Sequence, residues 1–151
     1  MSAMVALVMG SKSDLKKVVP AEEMLGRMGV KVITAAISAH RQPAKLRAFV
    51  DSAQEQGAEV FIAAAGKAAH LPGVIASLTR LPVIGLPISS PELGGLDALL
   101  SIVQMPSGVP VAAVAIDGAQ NAAILACSIL ALKYEEVAEA LESYRKELAE
   151  G

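Results

Sequence analysis

Ile37-Ser38-Ala39-His40-Arg41-Gln42-Pro43 is the stretch from which the fold is read. The residues leading into it, Val32-Ile33-Thr34-Ala35-Ala36-Ile37, form an apolar run of strand character. Pro43 then suits the first position of a helix, where the N–H it lacks has no intrahelical partner anyway. Strand, short polar turn and helix make up one unit of a parallel α/β sheet. In such sheets the ligand crevice lies at the carboxyl ends of the strands. The turn therefore delivers a hydroxyl (Ser38), an imidazole (His40) and a guanidinium (Arg41) to that crevice. An imidazole can donate or accept a proton, and the arginine is a permanent fork for phosphate or carboxylate.

Strand and helix signals alternate on both sides of this unit. Upstream, Met4 to Met9 is apolar without alternation, as expected of a strand covered on both faces. Gly10-Ser11-Lys12-Ser13-Asp14 is a turn in which Ser13 or Asp14 can cap a helix running toward Gly26 or Gly29. Pro20 is expected to kink or restart that helix. The second strand spans Lys31 to Ile37. A helix from Pro43 to about Gln54 puts Leu46, Phe49, Val50 and Ala53 on one face. Downstream, strands are read at Val60–Ala64, Leu81–Leu86 and Val111–Ile116, and helices at Val74–Leu78, Leu96–Val103, Asn121–Leu132 and Tyr134–Leu148. The alternation predicts a three-layer α/β/α sandwich, one domain over residues 1–151, with a parallel five-stranded sheet and an extra C-terminal helix.

Composition narrows the partners. The chain has 151 residues and a net charge of −2, so no basic surface invites nucleic acid or an anionic membrane. No apolar run approaches the roughly 20 residues of a membrane span. The single cysteine, Cys127, has no internal partner, and the first residues lack a signal pattern; both point to a cytoplasmic protein. Hydrophobic residues nevertheless make up 54% of the chain and charged ones only 19%, which predicts burial against copies of itself. The 122–132 helix, apolar all round, is expected between subunits, where Cys127→Arg would break the assembly or the fold.

Three strand-end loops carry the candidate chemistry. In the first, Gly10 lets backbone approach a ligand, Ser11 and Ser13 offer hydrogen bonds, and Asp14 suits ribose hydroxyls. An ordinary turn with a helix cap explains the same residues. In the second, Ser38, His40 and Arg41 also read as a solvated loop when taken alone. In the third, Gly66 to His70 is small-residue chain, consistent with a ligand against the backbone or with close helix–sheet packing. GxGxxG, GxxxxGK[ST] and Gly-x-Ser-x-Gly are absent, and no Cys/His/Asp/Glu set has metal spacing, so neither a metal nor an organic cofactor is expected.

Met9-Gly10-Ser11-Lys12-Ser13-Asp14, Ser38-Ala39-His40-Arg41 and Ala65-Gly66-Lys67-Ala68-Ala69-His70-Leu71-Pro72-Gly73 together resemble the N5-carboxyaminoimidazole ribonucleotide mutase family of purine biosynthesis. Leu81-Pro82-Val83-Ile84-Gly85, Ser101-Ile102-Val103-Gln104-Met105-Pro106 and Asn121-Ala122-Ala123-Ile124-Leu125-Ala126 extend the resemblance from about Met4 to about Tyr144. It implies a flavodoxin-like sheet and a cofactor-free carboxyl transfer between N5-carboxyaminoimidazole ribonucleotide and 4-carboxy-5-aminoimidazole ribonucleotide. It also implies His40 as catalytic acid and base. Ser11, Ser13 and Arg41 would hold the phosphate, with Asp14 on the ribose. Gly10, Ser38, Gly66, Lys67, His70 and Leu71 would complete the substrate site. Members of this family are homo-octamers.

Two positions depart from the family pattern: Gln42 stands for the usual Thr, and Lys67 for the usual Gly. The related aminoimidazole ribonucleotide carboxylases, which use carbon dioxide directly, tend to carry a basic residue at the second position, so that activity is the alternative. An inward-turned Lys67 would hold a carboxylate or bicarbonate-derived species; an outward-turned one would be a solvated lysine. A non-enzymatic nucleotide-binding module on the same sheet is the alternative of another class. Two Phe, two Tyr and no Trp leave little for stacking a flavin.

Overall fold

The first strand in the chain lies inside the sheet, not at its edge. β1 (Met4–Met9) pairs in parallel with β2 (Lys31–Ala36) on one side and β3 (Val60–Ala65) on the other. β4 (Val83–Pro87) and the two-residue β5 (Ala112–Ala113) complete the order β2-β1-β3-β4-β5, all parallel. The computed structural model describes residues 2–151.

The unalternating apolar runs have a direct cause: both sheet faces are covered. Val5, Leu7 and Met9 of β1, with Val60, Ile62 and Ala64 of β3, enter one core layer. That layer is closed by α1 (Leu15–Arg27), α5 (Ala119–Leu130) and α6 (Glu135–Glu150). The residues between them, Ala6, Val8, Phe61 and Ala63, enter the opposite layer. There they meet α2 (Pro43–Glu55), α3 (Leu71–Leu78) and α4 (Leu96–Val103). No helix among the described residues is long and apolar enough to cross a membrane.

Several local expectations change. α1 neither stops nor restarts at Pro20; the helix runs through it to Arg27. Asp14 occupies the N-cap position of α1 but makes no side-chain cap bond; the side-chain cap is that of Ser11 on the short turn before the helix. Lys12–Asp14 form a short 3-10 turn, and Ser11 Oγ accepts the Ser13 N–H at 3.3 Å. α3 begins at Leu71, three residues early, with Pro72 in its first turn. β5 is far shorter than Val111–Ile116. Its only neighbour is β4, and β4 ends at Pro87, whose carbonyl accepts from Asp117 N at 2.8 Å but which has no N–H to return.

The late apolar helix needs less outside cover than its composition predicts. Ala119, Ala122, Ala123, Ala126, Cys127 and Leu130 are buried within the chain, against α1, α6 and the sheet. Ile124, Leu125 and Ile129 are only half-buried, and Leu132, past the helix, is 90% exposed. Cys127 therefore faces the chain's own core, where burial pushes its thiol up to about 11. An arginine there would attack the fold directly, before any assembly.

Gly85, in the middle of β4, is where α4 comes closest to the sheet. A Cβ at this position would overlap Ile102 Cγ2 and lie 3.1 Å from Val111 Cγ1. Gly85→Ala is therefore expected to destabilise the protein by about 1–3 kcal/mol, the usual cost of overpacking. A urea unfolding midpoint unchanged from the parent would contradict this packing.

Candidate functional site

The strand order places four strand ends side by side, so the turns that follow them share one edge. Backbone bonds extend the pairing just beyond the strands: Gly10 N to Ala64 O at 3.0 Å, Ile37 N to Met9 O at 2.9 Å and Ile88 N to Ala65 O at 3.0 Å. A cavity of about 510 Å³ opens between these turns. The turn after β1 gives it Gly10, Ser11, Ser13 and Asp14. The turn after β2 gives Ser38, Ala39, His40 and Arg41. Ala65 to Ala68 and Leu71 come from β3 and its loop, and Ile88, Ser89 and Ser90 from the end of β4. Every residue expected at the site lines this cavity except His70.

His70 stands against His40. His40 Nε2 lies 2.7 Å from His70 Nδ1, with the rings edge-to-face at 85°. One of these nitrogens donates and the other accepts, so the tautomers of the two rings are linked. Ala68, just upstream, has φ +47°, a left-handed conformation rare outside glycine, and its carbonyl accepts the His70 N–H at 2.7 Å. The tight turn at Ala68 thus fixes the start of α3 and with it the second imidazole.

Ser38 organises the other side. Its Oγ accepts from Arg41 N at 3.2 Å and Arg41 Nε at 3.3 Å, which ties the guanidinium to its own turn. Gln42 closes that turn: its backbone N–H donates to Ser38 O at 2.9 Å and its Oε1 accepts the Ser38 N–H at 3.4 Å. The exchange of Thr for Gln is therefore accommodated locally. Asp14, at the N-cap position of α1, makes no side-chain cap bond, and it lines the cavity. Burial lifts it above its ordinary 3.8, against the opposing charge of Lys17 and a hydrogen bond from the Ser11 backbone.

Lys67 lines the mouth of the cavity, but its ammonium turns to the carboxylate of Glu92 in the loop after β4. That hydrogen bond holds Glu92 below its ordinary value. Both side chains are more than half exposed. The outward orientation is thus the one found.

The sequence reading left out the fourth wall. Ser89 and Ser90 follow β4 as His40 follows β2, so the strand-end rule alone marks them. Lys17 and Asp117 have no such signal. Asp117 Oδ1 accepts the Ser89 N–H at 2.9 Å, its Oδ2 accepts from Ser89 Oγ, and Lys17 Nζ donates to Ser89 O at 3.1 Å while lying 3.5 Å from Asp117. Burial raises the Asp117 carboxyl, but the Ser89 bonds and the Lys17 charge outweigh it and leave the group below 3.8. No group of three or more His, Cys, Asp and Glu side chains among the described residues is placed to hold a metal ion.

Comparison with known proteins gives a consistent picture. The AIR carboxylase family profile matches residues 4–151. The N5-carboxyaminoimidazole ribonucleotide mutase of Pyrococcus horikoshii is 56% identical over 145 residues, covering 96% of this chain and 82% of that protein. The mutase of Pseudomonas aeruginosa is 50% identical, covering 96% and 90%. The crystal structure of Treponema denticola PurE superimposes with a TM-score of 0.90 at 27% identity, over 98% of this chain and 92% of that one.

The half-buried Asp14 carboxylate has a consequence for stability. A carboxyl whose folded value is raised favours the protein below the unfolded value and weighs against it once pH rises through the folded one. Asp14→Asn should therefore raise the melting temperature of the ligand-free protein at neutral pH, and the gain should shrink as pH falls through the raised folded value and be gone below 3.8. A variant melting lower than the parent at pH 7 would show that the carboxylate is held more favourably than its burial implies.

Proposed function

This chain belongs to the AIR carboxylase family, and from that membership we propose that it interconverts N5-carboxyaminoimidazole ribonucleotide and 4-carboxy-5-aminoimidazole ribonucleotide in purine biosynthesis. The observation that carries the reading is one imidazole, His40, on the wall of a cavity whose neighbouring walls are a serine turn with Asp14 and the anchored Arg41. Arg41 and the Ser11–Ser13 turn suit the phosphate, and Asp14 suits the ribose hydroxyls.

His40 protonates the carbamate-bearing nitrogen. The C–N bond breaks and carbon dioxide leaves. The pocket keeps it beside the ring, so its recapture is effectively intramolecular. The ring carbon forms the new C–C bond, and His40 takes the proton that this carbon loses. Donation and recovery balance, so one imidazole serves both steps. With Nε2 engaged by His70, Nδ1 is the atom assigned to the transfer. The loop from Gly66 to Leu71 packs against the ring and the migrating carboxyl group. No step calls for a metal or an organic cofactor.

The chain acts as one domain and assembles as a homo-octamer in the cytoplasm. Supporting the assembly, Leu93, Leu96, Leu100 and Val103 recur at helical spacing around α4 and are about half exposed or more.

Two measurements test this reading. Supplied with N5-carboxyaminoimidazole ribonucleotide, the protein should turn it over without added bicarbonate; turnover only of aminoimidazole ribonucleotide with bicarbonate would make it a direct carboxylase. In the same assay His40→Asn should fold normally and lose at least about 10²-fold in kcat, since asparagine hydrogen-bonds but does not titrate.

Lys67 gives the second. Its outward pairing with Glu92 supports a residue that takes no part in choosing the carboxyl donor. Lys67→Gly should leave the ratio of carbamate-dependent to bicarbonate-dependent turnover as it was. A shift of that ratio toward the carbamate would assign Lys67 a role in donor choice.

A further inference from the structure

A second cavity, of about 500 Å³, adjoins the first and shares Gly10, Ser11, Ser38 and Arg41 with it. Its remaining wall is made by Lys12, Lys45 and Gln42 with Ala36. Three cationic side chains thus line it and no carboxylate does. Among the described residues none of the three takes part in a salt bridge, whereas Lys17, Lys67 and Lys133 all do. No carboxylate of the described residues neutralises this cluster, in a protein whose net charge is −2.

The position of Lys45 sharpens the point. It sits in the first turn of α2, a turn that holds no acidic residue. A helix N-terminus carries partial positive charge and favours carboxylates, so a lysine there opposes the helix dipole. Lys12 comes from the 3-10 turn after β1, and Arg41 from the turn after β2. Two separate loops therefore bring like charges to one concavity, an arrangement stabilised by an anion between them.

We propose that this outer cavity is an anion-receiving vestibule, in which Lys12 and Lys45 capture the phosphate dianion of the ribonucleotide and hand it to Arg41. The proposal rests on the reaction assigned above for the identity of its substrate, but not for its charge. Lys12 and Lys45 set the rate of capture and the preference for a phosphorylated ligand. They stay outside the chemical step, because His40 lies in the inner cavity and not in this one.

The test combines kinetics with a probe that does not react. In the double variant Lys12→Gln, Lys45→Gln, kcat/KM at low salt should fall about tenfold, with kcat within about twofold of the parent. The decline of kcat/KM with added salt should also flatten, since the charges that salt screens are gone. Ribose 5-phosphate should bind the variant more weakly than the parent in an equilibrium titration, and Lys12→Arg, Lys45→Arg should restore both readouts. Equal salt dependence in parent and variant, or unchanged affinity for ribose 5-phosphate, would overturn the vestibule. Should the parent turn over no carboxyaminoimidazole ribonucleotide at all, the assigned reaction fails while the ribose 5-phosphate titration still decides the vestibule.

Discussion

Three backbone hydrogen bonds at the carboxyl edge of the sheet hold everything else in place. Gly10 N to Ala64 O, Ile37 N to Met9 O and Ile88 N to Ala65 O tie four strand ends into one rim. Neighbouring strands lie about 4.8 Å apart, so four of them span roughly 14 Å, about the reach of a nucleotide. No turn alone makes the site. Each contributes a few atoms at a spacing fixed by the ladder, and the all-alanine end of β3 keeps the floor of that rim flat.

The rim carries features that a merely stable protein would avoid. Asp14 is lifted by burial, Lys45 opposes a helix dipole, and Ala68 and Asp117 occupy left-handed conformations at φ +47° and +56°. The two strained turns lie where they direct a neighbour: Ala68 sets the entry of His70, and Asp117 receives the Ser89 amide. Strain of this kind persists only where surrounding structure over-determines it. Here the surrounding structure is the double-faced core beneath the strand ends, which leaves the backbone few alternatives.

The surface away from the rim is also unusual. Leu93, Leu96, Leu100 and Val103 form an exposed apolar stripe over the loop and helix that follow the Ser89–Ser90 wall. The chain from Ile88 to Val103 therefore lines the cavity at its start and exposes apolar side chains farther on. Ser89 itself is held from behind by Lys17 and Asp117.

Local sequence determined what depends on local physics. Unalternating apolar runs marked β1, β3 and β4, because a strand covered on both faces has no reason to alternate. Leu46, Val50 and Ala53 marked the buried face of α2, because helical spacing puts them there. That the turns after β1, β2 and β3 gather around one cavity was legible, since a parallel sheet sends such turns to one edge. Tertiary structure alone decided the rest. His40 and His70 are 30 residues apart, Ser89 and Asp117 28, and Lys17 and Ser89 72; no periodicity encodes such pairings. The direction of Lys67 depended on Glu92 in another loop, and the length of β5 on a proline in the neighbouring strand. Whether Cys127 faced a partner or the chain's own core turned on where α1 and α6 pack, because composition gives a helix its hydrophobicity but only its neighbours decide which side is covered.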